Sequence, residues 1–229
     1  MKKKLRICLD IDGVMGDFAA AAARLMSTER PDLVEAIGQW SKHHLTSEQR
    51  ASIWKRIDAV GEAFWLDIEL TPWAKRLWKE CNALGETIFL TSSSAHPTSA
   101  SGKLKWMQKH FGGYNCRSYL IGPRKEFCAT PQTIFVDDND HKVEPFREAG
   151  GYAILVPQPW NSNKDIIPSR EEYIFTQLDS YAKRINHCID EGDERDKRIA
   201  YLEREITRLR DQIGDMELEV MFDEIRRQE

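Results

Sequence analysis

The chain has 229 residues, 41% of them hydrophobic, which is enough to bury the core of one large domain with a small insert. Its net charge of −4 is uneven: residues 190–229 hold 14 acidic and 8 basic side chains, a net of −6, so the preceding residues sit near +2. No apolar run reaches the length of a membrane span and no broad basic patch is present, so we expect neither a membrane partner nor duplex nucleic acid.

The first half of the chain predicts a strand followed by helices. Residues 5–10 are a short apolar run that leads into "LDID" (residues 9–12), which is typical of a buried strand. From Phe18 to about Leu70 the pattern is helical. The stretch "TPWAKRLWKECNALG" predicts a further helix, with Thr71 as its N-cap and Gly85 as its end.

The second half alternates strands with helices. The predicted strands lie in "ETIFLTSSS", "RSYLIG", "QTIFVDDND" and "YAILVP", and the predicted helices in "SGKLKWMQKHFGG" and "HKVEPFREAGG". Such alternation indicates a parallel sheet that is covered on both faces, with ligands beyond the carboxyl ends of its strands. Three strands end in polar signatures (LDID, FLTS and FVDD), so we expect these ends to converge on one crevice.

These patterns divide the chain into three parts. We predict an α/β core with a Rossmann-like parallel sheet over residues 1–17 and 72–188. About fifty residues separate the first strand from the "TPWAKRLW" helix, too many for a plain crossover, so residues 18–71 are predicted to form a small helical cap. Residues 190–229 are predicted to form a coiled-coil tail.

The tail carries a heptad repeat with β-branched residues at most a positions and leucine or methionine at d. In this register Arg198 faces Glu203 of a parallel partner, and Glu205 faces Arg210. We therefore expect a homodimer; the alternative is an amphipathic helix that folds back on its own body. The repeat consists of Ile199, Leu202, Ile206, Leu209, Ile213, Met216 and Val220.

Two aspartates at the end of the first strand indicate a cation. Asp10 and Asp12 are two residues apart and therefore share one face of the strand, where like charges repel and resist losing water. Gly13 allows a sharp turn after them. Oxygen ligands of this kind suit Mg²⁺, whereas a calcium loop would need another oxygen ligand where Val14 stands.

Polar residues at the other strand ends could complete the site. Thr91 and Ser92 offer hydroxyl and backbone N–H groups to a phosphate, and Asp137 and Asp138 offer the remaining oxygen ligands. Two lysines between these elements could neutralise phosphate charge: Lys103 and Lys125.

The combination of "DIDGV", a Thr-Ser turn, a lysine and a later "DD" resembles the haloacid-dehalogenase-like (HAD) hydrolase superfamily. More narrowly it is similar to the 5′(3′)-deoxyribonucleotidases. The further resemblance covers about residues 5–165 and leaves the tail outside. It lies in "FWLDIELTPWAKRLWKECNALGETIFLTSS", "KLKWMQKHFG" and "AILVPQPWN".

The resemblance implies a role for each candidate. Asp10 would attack phosphorus and form an aspartyl-phosphate, and Asp12 would protonate the leaving alkoxide and then deprotonate water. Thr91 would hold the phosphoryl oxygens. Lys103 and Lys125 would neutralise phosphate charge, and which of the two lies nearer the phosphorus is left open. Asp137 and Asp138 would ligate Mg²⁺ together with Asp10 and the backbone carbonyl of Asp12.

Aromatic residues would line the substrate pocket. Phe18, Phe64 and Trp65 match cap positions that contact the sugar and base in that family, although the cap core is an equal alternative for each. Ser92 is a further candidate for substrate contact. Pro123 stands where the family has a basic residue, which leaves the substrate open.

The implied function is a Mg²⁺-dependent phosphomonoesterase that acts on (deoxy)nucleoside monophosphates. One alternative is a different substrate, either another small phosphoester or a nucleic-acid 3′-phosphate. Another is that the chain is a non-enzymatic coiled-coil protein.

The five cysteines are odd in number and form no CxxC, which favours a reducing cytoplasm over disulfides or a zinc site.

Overall fold

The computed structural model describes residues 4–40, 45–112 and 116–228, with side chains up to 208 except at 196. The chain forms two compact units, Met1–Ile185 and Asn186–Glu229. Within the described ranges, no helix is both long enough and apolar enough to cross a membrane.

The first unit is built on a five-stranded, fully parallel sheet in the order β3-β2-β1-β4-β5. This confirms the predicted Rossmann-like α/β fold. Three central strands are almost wholly buried because helices cover both faces, as parallel sheets require. The strands are β1 (Arg6–Leu9), β2 (Glu86–Thr91), β3 (Tyr119–Ile121), β4 (Thr133–Asp137) and β5 (Tyr152–Leu155).

The described part of the chain contains eight α-helices. Four lie between β1 and β2 in the predicted cap segment: α1 (Phe18–Met26), α2 (Val34–Gln39), α3 (Ser47–Val60) and α4 (Glu62–Leu66). The others are α5 (Ala74–Leu84), α6 (Pro97–Phe111), α7 (Asp140–Glu148) and α8 (Arg170–Gln228).

Two helix starts differ from the prediction. Helix α5 begins at Ala74, and Thr71 is not its N-cap, because the Thr71 hydroxyl donates to the Val14 carbonyl at 2.8 Å. Trp73 Nε1 donates to the same carbonyl at 2.8 Å, which ties this segment to the turn after β1. Helix α6 begins at Pro97, four residues before the predicted start, since proline suits a first helical position.

Helix α6 positions the cap segment against the sheet. Its Gly102 packs against Trp65 of α4, where an added Cβ would lie 2.6 Å from Trp65 Cβ. Trp106 is fully buried and donates from Nε1 to the Ile68 carbonyl at 2.7 Å. These contacts place Lys103, the residue after Gly102, at the carboxyl end of the sheet.

Helix α8 belongs to both units. Its first turns pack on the sheet unit through Ile174, Leu178, Ala182 and Ile185, all at most 2% exposed. Described by itself, the second unit is helical and solvated along residues 186–208.

Candidate active site

The carboxyl ends of β1, β2 and β4 bring the predicted site residues together. Leu9 pairs with Val136 across the two central strands, and the N–H of Asp10 donates to the Val136 carbonyl at 2.9 Å. Asp10 therefore lies beside Asp137, the last residue of β4. The chain leaves β1 and β4 toward opposite edges of the sheet, and ligands of doubly wound sheets bind at such a point.

Three carboxylates meet at this point. One oxygen each from Asp10, Asp137 and Asp138 lies within 4.8 Å of the others. Gly13 has φ +70° and passes so close that a Cβ there would lie 2.3 Å from Asp138 Oδ2, so only glycine fits. This all-oxygen group, with Asp10 and Asp137 buried and Asp138 half-buried, fits a hard cation such as Mg²⁺.

The pKa values of Asp137 at the end of β4 and of Asp138 after it indicate the same need for a cation. Burial raises the pKa of Asp137 to about 6, although Lys125 opposes the shift. Burial, together with the charges of Asp137 and Asp10, holds the pKa of Asp138 well above its ordinary value. Trp160 Nε1 donates to Asp138 Oδ2 at 2.7 Å and fixes that side chain.

Lys125 bridges two of these carboxylates. Its Nζ lies 2.6 Å from Asp137 Oδ2 and 2.9 Å from Asp10 Oδ1, the latter an ion-pair contact without hydrogen-bond geometry. Burial alone would raise the pKa of Asp10, but Lys125, aided by Lys103, outweighs it and holds the pKa below its ordinary value. Asp10 is therefore ionised at neutral pH.

Lys103 holds the second aspartate of the motif. Its Nζ donates to Asp12 Oδ2 at 2.6 Å, to Thr91 Oγ1 at 3.0 Å and to the Ser92 carbonyl at 2.6 Å. Burial and the charge of Asp10 nevertheless raise the pKa of Asp12 above its ordinary value. Its other oxygen, Oδ1, is buried without a hydrogen-bond partner among the described residues. The two aspartates thus differ in charge preference and in lysine partner.

The acidic group opens into a cavity of about 550 Å³ that lies between the sheet end and the cap segment. Phe18, Trp40, Arg50 and Trp54 line its cap side. A second cavity, of about 440 Å³, lies over the turn that follows β2. Its lining residues are Asp12, Trp54, Asp58, Trp65 and Ser92–Ala95.

The predicted substrate residues have different positions. Phe18 lines the first cavity, Trp65 the second, and Ser92 both. Phe64 is 6% exposed and packs edge-on against Phe18 and Trp65, with ring centroids 5.8 and 5.2 Å apart. Its contacts are those of a cap-core residue.

Several site residues were missed. Trp54 lines the cavity from α3 and Trp40 from the residue that ends α2, in a segment whose sequence pattern predicts only a cap core. Gln158, Trp160 and Asn161 follow β5, and Gln158 Nε2 donates to the Gly13 carbonyl at 2.5 Å. Their stretch, "AILVPQPWN", belongs to the resemblance and was the available signal.

Fold and site together define the class of protein. A parallel sheet with an aspartate pair after its first strand, buried lysines and a later aspartate pair is the arrangement of a HAD-type phosphatase. A solved hydrolase from Pseudomonas syringae shares this fold: it aligns with a TM-score of 0.51 at 11% identity over 78% of this chain and 99% of its own.

Residues 3–168 match the family described as "5' nucleotidase, deoxy (Pyrimidine), cytosolic type C protein". The chain belongs to this family, and it is a phosphatase of the nucleotidase type. A putative 5′(3′)-deoxyribonucleotidase of Staphylococcus epidermidis is 24% identical over 162 residues, 69% of this chain and 86% of that protein. The cytosolic-type 5′(3′)-deoxyribonucleotidase of Homo sapiens is 28% identical over 149 residues, which are 61% of this chain and 73% of that protein. The resemblance is thereby confirmed.

Proposed function

We propose that this enzyme is a Mg²⁺-dependent 5′(3′)-nucleotidase that dephosphorylates (deoxy)nucleoside monophosphates through an aspartyl-phosphate. One observation carries the proposal: two neighbouring aspartates, Asp10 buried and Asp12 half-buried, face one cavity with opposite pKa shifts. The pKa of Asp10 lies below its ordinary value and that of Asp12 above it. Such a pair suits a nucleophile beside a general acid.

In the first step, a carboxylate oxygen of Asp10 attacks phosphorus while the ester P–O bond breaks. The leaving alkoxide takes its proton from the carboxyl group of Asp12, which becomes a carboxylate. The product nucleoside departs, and the phosphoryl group remains on Asp10.

In the second step, Asp12 acts as the base. It takes a proton from a water molecule, whose oxygen attacks the phosphorus of the aspartyl-phosphate. The P–O bond to Asp10 breaks, inorganic phosphate leaves, and both aspartates return to their starting states.

The buried cations and hydroxyls position the phosphoryl group. Lys125 is the lysine nearer the nucleophile, and Lys103 pairs with the acid–base residue and with Thr91. We assign both lysines to charge neutralisation, and Thr91 with Ser92 to holding the phosphoryl oxygens. Electrostatic stabilisation of this kind supplies most of the catalysis in phosphoryl transfer.

The carboxylates of Asp10, Asp137 and Asp138 would hold Mg²⁺, and the backbone carbonyl of Asp12 is a further proposed ligand. When bound, the ion supplies positive charge that polarises the phosphoryl oxygens. Without it, Lys125 is the only cation within 3 Å of two of these carboxylates among the described residues. The raised pKa of Asp137 and Asp138 supports this assignment.

The cap side of the cavity supports a nucleotide as the substrate. Its volume of about 550 Å³ falls in the ordinary range of small-molecule sites, roughly 300–1,000 Å³. Trp54 is half-buried and lines the cavity, so its indole offers a surface on which a base can stack, which contributes about 1–3 kcal/mol in single-strand binders. Arg50 adds a positive charge on the same side. A closed cap segment disfavours polymeric substrates.

We also propose the cytoplasm as the location of the enzyme. All five cysteines are free, and Cys8, Cys81 and Cys116 are buried. Free cysteines of this kind persist in a reducing compartment.

Phosphate release from a panel of monophosphates tests the function. The panel contains 5′- and 3′-monophosphates of ribo- and deoxyribonucleosides, sugar phosphates and an oligonucleotide with a 3′-phosphate, each with and without Mg²⁺. We expect nucleoside monophosphates to be hydrolysed fastest, and only with the metal. Preference for a sugar phosphate or the oligonucleotide would contradict the proposed substrate while keeping the phosphatase.

A further inference from the structure

The second unit exposes an apolar stripe that the phosphatase chemistry does not use. Ile199, Leu202 and Ile206 are 47%, 44% and 49% exposed. Their spacing of three and four residues places them on one face of helix α8. Exposed apolar surface of this regularity marks an interaction site.

We infer that this stripe, which we call the tail seam, pairs with the same stripe of a second copy of the chain in a parallel, in-register coiled coil. Isoleucine occupies its a positions (199, 206) and leucine its d position (202), a combination that favours two parallel strands. The heptad continues in sequence through Leu209 to Val220, whose side chains lie outside the described part of the chain.

Charges that flank the tail seam complement each other between copies. Arg198 occupies a g position and Glu203 the e position that it faces in a parallel partner. Within the described residues neither has an ion-pair partner of its own, although the Arg198 guanidinium lies 5.4 Å from the centre of the Tyr201 ring. Glu205 and Arg210 form the next pair by register. Both pairings require parallel, in-register chains.

The same register limits the length of the coiled coil. Gly192 and Arg195 occupy a and d positions before the seam, where neither packs well. After it, Glu219 would face Glu224 of the partner, and these like charges repel. The paired segment is therefore about three heptads, from Ile199 to Val220 and centred near Leu209, and its strength will depend on each seam residue.

Light scattering on the full chain measures the assembly, and this test does not depend on the proposed substrate. We expect twice the chain mass of 26.5 kDa for the natural sequence. Ile206→Lys should give the single-chain mass. Tyr201→Lys is the matched control, because Tyr201 is 52% exposed on the same helix but lies at a c position off the seam, and it should stay dimeric.

A charge exchange separates a specific pair from a loss of folding. Arg198→Glu should weaken dimerisation on the order of tenfold, since two attractions become repulsions in the symmetric pair. Adding Glu203→Arg should restore the original affinity. Circular dichroism and phosphate release should be unchanged in every variant.

Cross-linking tests the direction of the two chains. A Gly-Gly-Cys extension at the C-terminus, in a Cys188→Ser background, should oxidise to a covalent dimer because parallel chains bring their ends together. A single-chain mass for the natural sequence, an equal effect of Ile206→Lys and Tyr201→Lys, failure of the charge exchange to restore affinity, or no cross-link would overturn the inference.

Discussion

Two buried lysines of the candidate active site contact different carboxylates. Lys125 lies between Asp10 and Asp137, whereas Lys103 lies between Asp12 and Thr91. Removing one partner of a buried ion pair costs about 3–5 kcal/mol because the other charge stays uncompensated. The two lysines should therefore affect different steps of the reaction.

Replacing Lys125 by methionine should move the acid limb of the pH–rate profile to higher pH. In the proposed mechanism Asp10 must be ionised to attack, and Lys125 is the largest influence that holds its pKa below the ordinary value. Losing such a neighbour raises a carboxyl pKa by about 1–3 units. We expect kcat/KM at neutral pH to fall on the order of a hundredfold or more. The measurement is kcat/KM against pH.

Lys183→Met serves as the control for charge, because Lys183 is exposed and pairs only with Asp179 within the described residues. Its pH profile should match that of the natural enzyme. An unchanged acid limb in Lys125→Met would contradict the role of Lys125 beside the nucleophile.

Mg²⁺ should stabilise the fold more at about pH 7.5 than at about pH 5. The pKa of Asp137 is about 6 and that of Asp138 is well above its ordinary value. Protonation of these groups therefore favours the folded state, a contribution fully present below about pH 4 and lost as pH rises through the folded pKa values. Above about pH 6 the carboxyl group of Asp137 is ionised and available to the ion, whereas at lower pH protons compete with the ion for both aspartates.

The rise in melting temperature on adding Mg²⁺ measures this effect at each pH. Asp138→Asn should abolish most of the rise at the higher pH, because one ligand is lost. An equal rise at both pH values, or an unaltered rise in the variant, would count against a metal site at these aspartates.

At the scale of elements, close contact between α4 and α6 positions the cap segment. Gly102→Ala should destabilise the protein by about 1–3 kcal/mol, because the new methyl group would lie 2.6 Å from Trp65 Cβ. Gly38→Ala in α2 is its matched control, since its added Cβ meets nothing within 4 Å, and it should be neutral or stabilising by up to about 1 kcal/mol.

Thermal unfolding of both variants gives the comparison. Trp65 also lies beneath Lys103, whose Nζ is 5.0 Å from a Trp65 ring centre, so Gly102→Ala should lower activity as well as stability. Equal melting temperatures for the two variants would show that this packing does not constrain the cap.

The elements that the sequence predicted well were those with a strong local signal. The five strands are short apolar runs. Three of them (β1, β2 and β4) end in polar residues, and parallel pairing brings those ends together, which is why Asp10 and Asp137 could be expected to meet. The N-cap at Thr71 was wrong because its hydroxyl bonds to a carbonyl 57 residues away. A contact at that distance leaves no pattern within a local window.

Side-chain roles within the cap were less predictable for the same reason. Whether an aromatic residue lines the cavity or packs behind it depends on how four short helices pack together. Trp54 reaches both cavities, while Phe64 packs in the cap core. Their local sequence patterns are alike, so only tertiary packing distinguishes them.

For the whole molecule, the two units are specified by different kinds of sequence pattern. The first unit folds around a buried sheet and contains the family match, which ends at residue 168. The second unit is a helix with a heptad repeat, and its described side chains along residues 186–208 are solvated. Catalysis is proposed for the first unit and pairing for the second. Loss of pairing should therefore leave turnover per chain unchanged.

The central claim is that Asp10 captures the phosphoryl group while Asp12 releases it. It is tested most directly in Asp12→Asn with nitrophenyl phosphate, once the natural enzyme has been shown to hydrolyse this ester, because its leaving group needs no proton. We predict a burst of one nitrophenolate per chain and, after acid quench, a phosphoryl group on the peptide that contains Asp10, with neither in Asp10→Asn. A burst that survives Asp10→Asn, or a phosphoryl group on another residue, would contradict the account.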